Sequence, residues 1–271
     1  TGLSFKLYTS KAWEFGAVIG LGLLVVLAFV IFHGPMVTEL TPEGGVQLNS
    51  FAPVHVIETF DIVMGGFLAL FLLSNVFRMF LHVMGDDRKK IPLKYYFSEI
   101  MTLPIHFATQ RRWKDCEDPG LWKRHMVLVF GYVTMFVMIV GFLPWFQTEK
   151  IHPFWHPQRL LGYLATAALL YVTGYMIVGR IKKSRLIHKF SHSTDWLFLI
   201  LLFLTSLTGI LLHLFRVNGF PMSTYVTYVI HMAILVPMLM IEVPFGKWSH
   251  LAYRPLAIYL HKVKQKAAAV K

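Results

Sequence analysis

The sequence predicts an all-α protein: a polytopic membrane helical bundle with six transmembrane helices and both termini cytoplasmic. Three observations lead there. Of 271 residues, 56% are hydrophobic and only 15% charged, whereas a soluble domain of this size exposes far more charge. The apolar residues fall in blocks of about 20, enough to cross about 30 Å of hydrocarbon as helix. Basic residues crowd alternate connections, as the positive-inside rule expects.

The blocks run 13–32, 56–80, 126–146, 160–179, 196–215 and 225–243. The first is too long, with flanks too polar, for a typical cleaved signal peptide, and reads as a helix that stays. The connection 34–55 has no Lys or Arg and carries Glu39 and Glu43. The connection 85–124 is rich in bases, among them Arg88, Lys89, Lys90, Arg111, Arg112 and Lys123. Its stretch 93–110 mixes apolar and polar residues as a helix lying along the membrane surface would, packed as part of the loop or serving as a dock for a cytoplasmic partner. The next connection holds Lys150, and the one after it Arg180, Lys182, Lys183, Arg185 and Lys189. The tail is basic again. Even numbering of the spans and this alternation place the protein in the cytoplasmic (inner) membrane with both ends inside. Pro237 and Pro244 are expected to bend the last span.

Two portions follow: residues 1–113, with two helices and the basic loop, and residues 114–271, with four helices and the basic tail. The net charge of +12 does not indicate a nucleic-acid partner, because the bases sit in alternate loops rather than along one soluble face. Cys116 is the only cysteine, so this sequence alone cannot hold a cysteine-ligated iron–sulfur cluster.

The chemistry is carried by histidines. A titratable side chain in or beside the hydrocarbon layer is costly and marks a functional site by default. His125 opens the third span, His231 lies in the outer half of the sixth, and His250 follows its cytoplasmic end. Imidazole at that depth in a redox protein serves as an axial ligand of haem iron. On a continuous helix His231 and His250 are about 28 Å apart, so one haem cannot use both. The expectation is one b-type haem near each face, the inner one more secure, with His125 and His250 as its opposite ligands. For the outer one, His231 needs a partner. His156 ranks first and His213 next, with His152, His55 and Met135 as further options. Lys123, Arg124, Lys247 and Arg254 are candidate propionate partners. His55, Glu58 and Asp61, at the outer start of the second span, are candidates for proton exchange with a quinol; the two acids also suit a helix N-terminus. His33, His82, His106, His188, His192 and His261 read as interfacial or loop residues.

The segments Arg124-His125-Met126-Val127, Asp195-Trp196 with the apolar run after it, Ile230-His231-Met232, Pro244-Phe245-Gly246-Lys247 and Ser249-His250 resemble a cytochrome b family. The chain looks like the gamma subunit of respiratory nitrate reductase, and closer still to the membrane subunits of the quinone-interacting Qmo and heterodisulfide-reductase-like complexes. The likeness covers roughly 114–261. It implies two b haems, a menaquinone or similar quinone, and cytoplasmic iron–sulfur and/or flavoprotein partner subunits. It carries over His125 with His250, and His231 to the other haem. It supplies no fourth ligand: Met135 or its neighbours stand where the nitrate reductase pattern has a second histidine. His156-Pro157 resembles the Qmo-like pattern. The competing expectations are a haem-free transporter or proton relay, and a structural anchor, which leaves His231 unexplained.

Overall fold

The computed structural model describes residues 6, 9–110, 119–146, 148–191 and 194–269. Among these residues the chain is helical, with one isolated antiparallel bridge between Leu40 and Val46 and no longer strand pairing. All six apolar blocks fall on helices: α1 (Lys11–Phe32), α2 (Val54–Met84), α3 (Pro119–Gly141), α4 (Pro157–Ile181), α5 (Thr194–Val217) and α6 (Pro221–Pro237). A seventh helix, α7 (His250–Ala268), follows. Among the described residues five stretches are long and apolar enough to cross a membrane: α1, α2, α4, α5 and the run from α6 into α7. The boundary between residues 113 and 114 lies outside the described residues.

Local chemistry sets several ends. Pro157 and Pro221 open α4 and α6, where a missing N–H costs no helical bond. The last apolar block is not one helix. α6 stops at Pro237, a π-turn spans Met238–Glu242, a short helix covers Val243–Phe245, and Gly246 is extended before a 3-10 turn at Lys247–Ser249. Two prolines seven residues apart remove two backbone donors and crowd the preceding turns, which accounts for the break.

The helices pack in the order α3, α4, α5, α6, α1. Small residues let backbones approach closely. A Cβ on Gly131 of α3 would sit 3.0 Å from the Ala165 carbonyl of α4, and one on Gly22 of α1 2.9 Å from the Ala233 carbonyl of α6. Thus α1 belongs to the same packed unit as α5 and α6, although it lies in the first portion of the chain. By contrast α2 is peripheral. It touches the rest mainly where Phe71 meets Phe245, where Asn75 donates to the Pro244 carbonyl at 2.8 Å, and where Met84 joins Tyr259, Leu260 and Val263. Leu23, Leu24, Ile62, Val63 and Leu70 are largely exposed, a surface suited to lipid rather than water.

One end of the bundle gathers the connections 33–53, 148–156 and 218–220; we call it the loop end. Glu149 accepts from the N–H groups of Leu48 and Asn49 and pairs with Arg216 at 3.1 Å. Arg216 also donates to the carbonyls of Val46 and Thr148, and Tyr225 to those of Val37 and Gln47. At the opposite, basic end, short helices over Leu93–Ser98 and Thr102–Thr109 pack against α7. Tyr259 donates to the Tyr96 carbonyl at 3.0 Å, and Lys266 reaches Glu99 at 2.8 Å. The hydrogen bond from Lys266 holds the Glu99 carboxyl below the usual range. The 93–110 segment is therefore a packed layer on one side. Its other side leaves Leu93, Phe97, Met101 and Ile105, four residues apart, exposed.

Candidate functional site: two histidine clusters at opposite ends

At the basic end, His125 sits in the second turn of α3 and His250 is the first residue of α7. His125 lies within electrostatic reach of both His250 and Arg254. A shallow cleft beside His250 is lined by His106, Gln110 and Arg254. His106, read from sequence as a loop residue, thus joins this cluster. It arrives on the Thr102–Thr109 helix, whose packing on α7 no local pattern reveals. Of the candidate anion partners, Arg254 is the one at this cleft; the Arg124 guanidinium lies over the ring of Tyr175, 4.4 Å from its centroid. The side chain of Lys247 lies outside the described residues.

At the loop end, α3, α4, α5, α6 and the 148–152 connection line an open-sided cavity of about 280 Å³, close to the lower bound for ligand pockets. His231, Met135, His213, His152, Arg159 and Tyr163 line it. His231 projects from α6 onto α5. Its Nδ1 is 2.9 Å from the Thr208 hydroxyl, and a Cβ on Gly209 would stand 3.3 Å from its Cε1. Gly209 therefore makes room for the ring, and Thr208 fixes one nitrogen. A metal-binding imidazole is oriented in this way by a hydrogen bond to its other nitrogen.

A polar chain runs along the same wall. Arg159 donates through Nε and Nη2 to the Tyr163 hydroxyl at 3.0 and 2.6 Å, and through Nη1 to the His152 carbonyl at 2.7 Å. Tyr163 in turn lies 2.8 Å from His213 Nε2. With two guanidinium N–H groups directed at the phenol oxygen, its own O–H is the donor to His213. The Nε2 lone pair of His213 is therefore engaged. Arg159 and Tyr163 were readable as an i, i+4 pair on α4, but only the fold brings His213 to them.

The structure brings His213, His152 and Met135 to the cavity that His231 lines. His156 is not among its lining residues. Its Nδ1 accepts from the Gln158 N–H at 3.4 Å as the cap of α4, and its ring stacks on His152 at 3.8 Å. Outside the spans, burial and the neighbouring His156 push the His152 imidazole below its ordinary pKa. His55, Glu58 and Asp61 also lie away from the cavity, on the first turns of α2. Asp61 is within electrostatic reach of Glu58 and of Tyr228 on α6. Among the described residues no group of three or more His, Cys, Asp or Glu is placed to hold a metal ion. A metal held by these histidines needs further donors from a ligand such as a macrocycle.

Searches of known protein families, of curated proteins and of solved structures each return no match for this chain. Its chemistry has to be read from its own side chains.

Proposed function

We propose that the chain is the membrane-anchor cytochrome b subunit of a respiratory oxidoreductase complex in the inner membrane, with six spans and cytoplasmic termini. It passes electrons between a membrane quinone, menaquinone or a similar one, and a cytoplasmic iron–sulfur and/or flavoprotein partner. The observation that carries this reading is the placement of imidazoles at both ends of one apolar bundle, with His231 facing a cavity and oriented through Nδ1. His125 and His250 would hold one b haem at the basic end. His231 would hold the other, with Met135 opposite, or His213 once its Nε2 is released from the Tyr163 hydroxyl; His156, the cap of α4, would have to leave that position to serve. A bound haem supplies one-electron redox chemistry; the protein's part is to hold, orient and electrostatically tune it. Arg254 at the basic end and Arg159 at the loop end are the cations suited to propionates. A loop-end cavity of about 280 Å³ seats a macrocycle only if flexible lining side chains such as Met138 swing aside. The basic face suits docking of an acidic partner surface.

The test is a reduced-minus-oxidised visible spectrum with a quantitative haem assay on protein purified in mild detergent. Two b haems per chain are expected. One haem removes the transmembrane electron path and leaves a single-site anchor. No haem in folded protein from a haem-competent host overturns the reading. It then favours a haem-free proton relay, for which the Arg159–Tyr163–His213 chain is the specific observation.

A further inference from the structure

The sequence reads the connection between α4 and α5 as basic and His188 as an interfacial or loop residue, yet the fold buries this histidine. His188, in the short helix Leu186–Lys189, is only 2% exposed. Its ring lies on Gly179 of α4, where a Cβ would come within 2.5 Å of Cε1. Its Nδ1 is 3.0 Å from the Ser184 hydroxyl, and its Nε2 is buried with no hydrogen-bond partner. The charges of three guanidinium groups act on it: Arg180, Arg185 and Arg124. Burial and these three charges hold the imidazole below its ordinary pKa.

The arginines come from α3, α4 and the connection after α4, and two of them are held on aromatic faces. Arg124 of α3 lies over Tyr175 of α4, and Arg180 of α4 lies over Trp196 of α5 at 5.8 Å. Arg180 also donates to the Asp195 carbonyl and feels the Asp195 charge. Its Nε remains buried without a hydrogen-bond partner. The positive-inside rule explains exposed cations such as Lys182 and Lys183. It does not explain a buried imidazole nitrogen placed among three guanidinium groups. The Ser184 hydroxyl lies 3.0 Å from Nδ1 and 3.4 Å from the Gly179 carbonyl; in the tautomer in which it donates to Nδ1, the N–H at Nε2 is a donor, as every nearby cation is. Such a set is complementary to an oxygen-rich anion.

From this geometry we infer a binding site for a phosphate group, formed by His188, Arg180, Arg185 and Arg124 where α3, α4 and α5 end. The surroundings indicate the carrier. Ile181 and Phe190, flanking the cluster in sequence, are 67% and 82% exposed, and Tyr175 and Trp196 lie beneath the cations. Apolar side chains, interfacial aromatics and basic residues at one depth mark the headgroup layer. A phosphate at that level belongs to an anionic phospholipid of the inner leaflet. The inference needs the chain to be membrane-embedded but not that it binds haem.

The test titrates the full chain in mild detergent with short-chain phosphatidic acid, with phosphatidylcholine and with inorganic phosphate. Tryptophan fluorescence and native mass spectrometry read binding. One tightly retained phosphatidic acid is expected, with phosphatidylcholine at least tenfold weaker (about the effect of one to two well-placed cations). The double variant R180Q/R185Q should lose about tenfold or more in affinity, whereas K182Q/K183Q, which removes the same charge from exposed neighbours, should change it by less than about twofold. If inorganic phosphate displaces the lipid at millimolar concentration, the phosphate site stands with a soluble source; failure to displace assigns the lipid. Equal weakening by both double variants, or no retained lipid and no phosphate binding, overturns the site and leaves ordinary surface electrostatics. Should R180Q/R185Q not fold, Gly179→Ala and H188Q provide the same comparison, with unchanged affinity in both as the overturning result.

Discussion

The two histidine clusters are built differently. The loop-end cluster sits inside four helices that pack through close backbone approaches, and its imidazoles are held by Thr208, Gly209, Tyr163 and Arg159. The basic-end cluster is assembled from a short surface helix, the start of α3 and the start of α7, across the helix interruption at 238–249. One is preset by the bundle core; the other depends on how a peripheral layer docks. The loop-end site should therefore be rigid and sensitive to volume, and the basic-end site sensitive to the contacts that hold α7 down.

The largest effect separates the two clusters outright. If the chain holds the two b haems proposed for it, His231→Ala and His250→Ala should each remove one of them, which the haem assay reads directly. A His250→Ala protein with unchanged haem content would break the pairing with His125. Next is volume. Gly209→Val forces side-chain atoms against His231 and should cost about 1–3 kcal/mol, as overpacking of tight interiors does. The melting temperature should fall and the loop-end haem should be lost first; retention of both haems would show that the pocket is softer than its geometry indicates. Glu149→Gln leaves Arg216 without its ion pair and weakens two backbone hydrogen bonds. Allowing for solvent screening of the half-exposed carboxylate, about 1–2 kcal/mol should be lost, again as a lower melting temperature.

Tyr259→Phe should be milder, at about 0.5–1.5 kcal/mol for one hydrogen bond to the Tyr96 carbonyl. Its sharper readout is selective loosening of the basic-end spectrum while the loop-end spectrum stays unchanged. The smallest effect concerns pH. The Glu99 carboxyl is held below its ordinary value by Lys266. Its contribution is therefore present above the unfolded carboxyl pKa and is lost as pH falls through the lower folded value. Glu99→Gln should slightly reduce thermal stability at neutral pH and make no difference in strong acid; an equal difference at both pH values would rule out the Lys266 contact as its origin.

The helices were legible because apolar blocks of membrane-spanning length leave few alternatives. Block 56–80 nonetheless extends to Val54–Met84, and block 225–243 breaks at Pro237. The prolines announced a bend, but not a π-turn, which depends on how Pro244 and its neighbours meet α1 and α2. His231, His250 and His125 stood out because imidazole is rare in apolar surroundings. His106 and His188 did not, since a histidine among lysines, arginines and threonines looks solvated until a partner helix covers it. Nor could sequence show that His213 is tied to Tyr163 or that His156 serves as a helix cap. Those facts depend on rotational setting between helices, which residue spacing along one strand of chain does not record.

That rotational setting has a consequence at the π-turn. Nineteen residues separate His231 from His250, so on a straight α-helix their side chains would be turned about 100° apart. The wider turn at Met238–Glu242 and the extended Gly246 reset this angle before α7 begins. The break thus acts as an angular adjuster: it lets one stretch of chain aim one imidazole into the bundle and another at α3. Removing a single residue from 238–242 would rotate everything after it by about 100°, swinging His250 away from His125 while leaving His231 against Gly209.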